Sequence, residues 1–102
     1  MFHLWHQNHG GIGGHVFLLD EQMRDLREEL TAQGMVCGRE GGRGIPLHKL
    51  ETPGDHFVSP VELDEALDVA SGEPAAIADE RLWRDFLAFL EGAAHRGGLR
   101  IK

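Results

Sequence analysis

The sequence predicts an α+β fold: a small, single-layer, mostly antiparallel sheet of four or five short strands with three helices packed on one face. Short β-prone runs bracketed by glycine-rich or Pro-Gly segments arrive as hairpins, and three longer stretches repeat apolar residues at helical spacing. Helices fall between and after the hairpins rather than alternating strand by strand, which argues against a doubly wound parallel sheet. With 102 residues, 41% hydrophobic and 26% charged, the chain reads as one globular domain over 1–102 with one modest core.

The first strand is Phe2-His3-Leu4-Trp5-His6, rich in aromatic and aliphatic side chains. The segment Asn8-His9-Gly10-Gly11-Ile12-Gly13-Gly14 that follows suits no regular element, and Val16-Phe17-Leu18-Leu19 is again β-prone, so the two runs predict a hairpin around a glycine loop. Asp20 is placed to cap a helix over 21–33, in which Met23, Leu26 and Leu30 share one face before Gly34. Four glycines between Gly38 and Gly44 predict a loop, and Met35-Val36-Cys37 before it is only a short apolar step. Ile45 to Leu50 reads as an edge strand because of Pro46, with Thr52-Pro53-Gly54-Asp55 turning the chain into His56-Phe57-Val58 as a second hairpin.

Ser59-Pro60-Val61-Glu62 combines an N-cap hydroxyl, proline at N1 and glutamate at N3, the elements of a capping box. Val58 and Leu63 flank it as a hydrophobic staple, and Leu63, Ala66, Leu67 and Ala70 form the apolar stripe of this second helix. From Asp79 as cap, Leu82, Trp83, Phe86, Leu87, Leu90 and Ala94 recur at helical spacing until Gly97-Gly98, making the third helix the main contributor to the core. Leu99-Arg100-Ile101-Lys102 alternates as a terminal strand.

Composition narrows the function classes. One cysteine, Cys37, excludes an intramolecular disulfide, and the opening residues carry no basic stretch followed by an apolar run, so a cytoplasmic protein is expected. No apolar run approaches the ~20 residues that span a bilayer, which argues against a membrane role. Net charge is −7, and between Asp55 and Glu91 ten acids face only Arg81 and Arg84, a balance unsuited to a nucleic-acid backbone.

Four groups of residues are candidates for function. Seven histidines are an excess, and four lie within the first fifteen residues. Strand parity separates His3 from His6, whereas His6, His9 and His15 can converge around the glycine loop on zinc or another divalent transition metal. Arg39 and Arg43, among glycines, are candidates for an anion; the segment lacks the Lys-Ser/Thr ending of a phosphate loop. Glu62, Glu65 and Asp68, with Asp64, give the second helix an acidic side for a basic partner. Trp5 with His3 projects from the sheet face that the helices leave open.

Nucleophilic chemistry has little support. Ser59 is committed to a cap, Ser71 ends a helix, tyrosine is absent, and Cys37 reads as a small apolar filler. His48 with Glu51 and His56 with Asp55 are ordinary neighbours in a His-rich chain. The expectation is a small binding or regulatory protein acting through protein–protein contacts as a homodimer, with no motif that specifies a reaction, no nucleic-acid or membrane partner and no cofactor. The alternative is a His-based metal-binding or metal-dependent protein.

Overall fold

The computed structural model describes residues 1–8, 14–38, 42–52 and 54–102. The first strand, β1 (Phe2–His6), pairs antiparallel with β2 (His15–Leu18), as the glycine-flanked hairpin predicts. The helix α1 (Asp20–Ala32) follows directly. Two-residue strands β3 (Val36–Cys37) and β4 (Ile45–Pro46) pair parallel, and a single turn, α2 (His48–Glu51), precedes β5 (His56–Val58). The helices α3 (Pro60–Asp68) and α4 (Glu80–Ala94) then lead to β6 (Leu99–Ile101). The main sheet has the order β2-β1-β6-β5, antiparallel throughout.

Three local expectations are corrected. Helix α1 starts one residue early, with Leu19 as N-cap, because Gln22 Oε1 reaches back to accept from the Leu19 amide at 2.9 Å. Asp20 thus sits in the first turn, where a carboxylate favours the helix dipole. The strand expected over 45–50 stops at Pro46, and the rest turns into α2 with Leu50 buried. The second hairpin does not form: β5 pairs with the C-terminal strand, and β4 pairs with β3 instead.

Strand alternation builds the core. Phe2, Leu4 and His6 of β1 are buried while His3 and Trp5 point the other way and stay partly exposed. Leu18, Val58, Leu99 and Ile101 complete the inner face. Against it lie Met23, Leu26 and Leu30 of α1 and Trp83, Phe86, Leu90 and Ala93 of α4, with Leu63 and Ala66 of α3 packed beside them. The Ser59 box forms as predicted: Glu62 N donates to Ser59 Oγ and Ser59 N donates to Glu62 Oε1. Trp83 is fully buried, with its indole N–H donating to Ser71 O at 3.3 Å.

One polar group is built into this core. Glu29 is buried, and its carboxylate accepts from Gln33 Nε2 and from three successive amides, those of Ala75, Ala76 and Ile77, each at 2.7 Å. Gln33 also accepts from Ser71 N at 2.6 Å, so α1 fastens the irregular segment between α3 and α4. Burial alone raises the pKa of such a carboxyl, but the hydrogen bonds from Gln33, Ala75, Ala76 and Ile77 outweigh it and lower the value from 4.5 to about 2.

Candidate functional site: the outer face of the sheet

With the helices on the inner face, the side chains of opposite parity form a second surface. Register places them in two rows. Phe17 stands opposite His3, and the His3 backbone exchanges hydrogen bonds with that of Lys102. In the second row His15 faces Trp5, Trp5 faces Arg100 and Arg100 faces Phe57. The β1–β2 hairpin and the sequence-distant β5 and β6 thus bring imidazoles, rings and two cations onto one face.

The rings touch. His3 lies flat on Phe17, with centroids 4.2 Å apart at 11°, and is 4.9 Å from Trp5 and 5.7 Å from His15. These four side chains bound an open cavity of about 250 Å³ whose walls are mostly apolar. Phe17 is 56% exposed, an unusual state for so large an apolar side chain. Farther along, the Arg100 guanidinium lies 5.0 Å from the centre of the Phe57 ring and donates to Gln7 Oε1 at 2.7 Å. Phe57 in turn covers Gly98, where φ is +111° and an added Cβ would come within 2.8 Å of the ring.

The charge state of His3 follows from its place in the row. Desolvation first, then the neighbouring His15 and Lys102, lower its pKa below 6.5, so the stacked ring is neutral near pH 7. Its Nε2 is buried with no hydrogen-bond partner among the described residues. A neutral imidazole between Phe17 and Trp5 behaves as another aromatic plate, which makes this half of the face apolar.

The remaining candidate residues are placed differently. Glu62 is half-buried and committed: its carboxylate closes the capping box and accepts from Lys49 Nζ at 3.1 and 3.2 Å. Arg43 lies 3.6 Å from Glu65 and 3.7 Å from Asp68, so the anion candidate and the acidic side of α3 face each other. Arg39 lies outside the described residues. His48 and His56, whose rings are 6.0 Å apart, are away from the Trp5 face; parity gives that place to Phe57.

For the metal candidates, β1 turns His6 inward, where its Nε2 is 3.0 Å from Phe89 O and its ring packs edge-on to Phe89. His15 is exposed, His9 lies outside the described residues, and His6 and His15 line one groove against Asp85. Among the described residues no three His, Cys, Asp or Glu side chains are grouped to hold an ion. Cys37 is partly buried on β3, its thiol 3.9 Å from Gly44 O.

Sequence reading found Trp5 and His3 but missed Phe17, His15, Phe57, Arg100 and Lys102 as members of the same surface. The signal was present as strand alternation. What was missing was the strand order that sets β6 between β1 and β5. Among the described residues no helix is long and apolar enough to cross a membrane. Comparison with protein-family models, curated protein sequences and solved structures gives no significant match.

Proposed function

We propose that the protein is a binding module that acts through protein–protein contact, and that it pairs with a second copy through the outer face of its sheet. The observation that carries this reading is the apolar ring cluster of His3, Trp5, His15 and Phe17, which bounds an open cavity and leaves Phe17 more than half exposed. Apolar area withdrawn from water returns roughly 25 cal/mol per Å², and a two-fold dimer is the commonest way for a soluble chain to bury such a patch. The acidic side of α3 is a weaker candidate, since Glu62 serves Lys49 and the cap while Glu65 and Asp68 face Arg43.

Charge also favours the sheet face. The chain carries −7 in all, and acids on the helices would oppose a second copy approaching from that side. On the sheet face the cations are engaged within the chain: Arg100 lies over Phe57 and donates to Gln7, and Lys102 is 3.7 Å from Asp55. Sedimentation velocity across a dilution series tests the reading. The wild type should sediment as a dimer, and Trp5→Ser and Phe17→Ser should sediment as monomers with unchanged far-UV circular dichroism. A wild type that stays monomeric throughout removes the self-association.

A further inference from the structure

The two edges of the main sheet are treated differently. At the β5 edge, Leu99 and Ile101 take the backbone groups of Val58 and His56, so those of Phe57 point outward. Its carbonyl there accepts from Lys49 Nζ at 2.6 Å, the strand has three residues, and Pro60 follows closely. These are the devices by which proteins close an edge to further pairing.

The β2 edge is built without them. His6 N donates to Gly14 O, so Gly14, Val16 and Leu18 face β1, and the amides and carbonyls of His15 and Phe17 point away from the sheet. The strand His15-Val16-Phe17-Leu18 contains no proline, lysine or carboxylate. Beneath it lies a groove against α4. One part, of about 180 Å³, is lined by Val16, Leu82, Asp85, Phe86 and Phe89 among others. The next, of about 400 Å³, is bounded by His6, His15, Val16, Asp85, Ala88 and Phe89. The two adjoin at Val16, Asp85 and Phe89 along the strand.

We propose that this edge is a second binding site, which takes an extended segment of a partner protein as an added fifth strand. Its main chain would pair with His15 and Phe17, and alternate side chains would enter the groove. An apolar side chain suits the wall of Leu82, Phe86 and Phe89. A lysine or arginine two positions along suits the other part, where Asp85 is 74% exposed and its ion pair with Arg81 is long, at 3.9 Å. Among the described residues no lysine or arginine lines the groove. A second copy fits this edge poorly, because a two-fold axis beside β2 would set Asp85 of one α4 toward Asp85 of the other, and because Val16 and Leu18 already pack inward.

The probe is a phage-displayed library of random ten-residue peptides selected on the immobilised full chain. Enriched peptides should alternate, with an apolar residue and a basic one two apart, and should slow hydrogen exchange of the His15 and Phe17 amides. Asp85→Lys and Ala88→Trp, both at exposed positions of α4, should weaken them about tenfold or more. Trp5→Ser should abolish outer-face pairing and keep peptide binding, which separates this site from the self-association proposed above. Failure to enrich such peptides, or enriched peptides that bind both groove variants as tightly as wild type, would overturn the proposal. So would His15 and Phe17 amides that become protected with rising concentration of the Trp5→Ser variant and no peptide, since the edge would then belong to a second copy.

Discussion

His6 and Gly92 are packed so closely that a Cβ on Gly92 would lie 2.8 Å from Cε1 of the imidazole. A glycine inside α4 costs about 1 kcal/mol in helix propensity relative to alanine, and here that cost admits a buried ring whose Nε2 is fixed at Phe89 O. Gly92→Ala should therefore destabilise despite the gain in propensity. The expected net loss is about 1–2 kcal/mol in urea unfolding, as for other overpacked cores. His6→Ala combined with Gly92→Ala should show a favourable coupling between the two sites; additive effects would place the strain elsewhere.

Glu29 is the polar anchor of the 71–77 segment. Glu29→Gln keeps the shape but replaces one acceptor oxygen with an amide nitrogen that cannot accept from backbone N–H groups. The expected loss is on the order of 3 kcal/mol, because buried donors are left unmet. Hydrogen exchange should accelerate at Ala75, Ala76 and Ile77 before it does in the strands. Uniform acceleration would mean that the carboxylate supports the whole fold rather than this segment.

Acid should act in two windows. The folded-state pKa of Glu29 is depressed, so its contribution is complete above 4.5 and drains away as pH falls toward about 2. His3 is also depressed, from 6.5, by desolvation and by the charges of His15 and Lys102. Its neutral form is the one the fold favours, so stability is retained above 6.5 and declines as pH drops below that value. Stability measured against pH should lose the first decline in His3→Phe and the second in Glu29→Gln. An unchanged pH profile in both variants would contradict these assignments.

Lys49 closes the β5 edge through Phe57 O and neutralises the half-buried Glu62. Lys49→Met should cost about 2 kcal/mol, with most of the loss arising from the carboxylate left without its partner. The double variant Lys49→Met with Glu62→Gln should recover part of it, since the amide oxygen of the introduced glutamine can still accept from Ser59 N. Failure to recover would show that the carbonyl of Phe57, not Glu62, is the group Lys49 serves.

Local chemistry alone determined much of this protein. The Ser59 capping box, the apolar stripes of α3 and α4, the β1–β2 hairpin and the burial of Trp83 all follow from residues within a few positions of one another. The same is true of the opposed parity of His3 and His6. Tertiary structure decided the rest. The strand expected over 45–50 stops at Pro46, and the helical turn that follows buries Leu50 and carries Lys49 to Phe57 O and Glu62. Arg100 lies between Trp5 and Phe57 only because β6 inserts between β1 and β5. Glu29, which nothing in its local sequence sets apart, is the buried acceptor for amides more than forty positions away. Strand order and the targets of buried polar groups are set by contacts distant in sequence, and these leave no periodic trace in the chain itself.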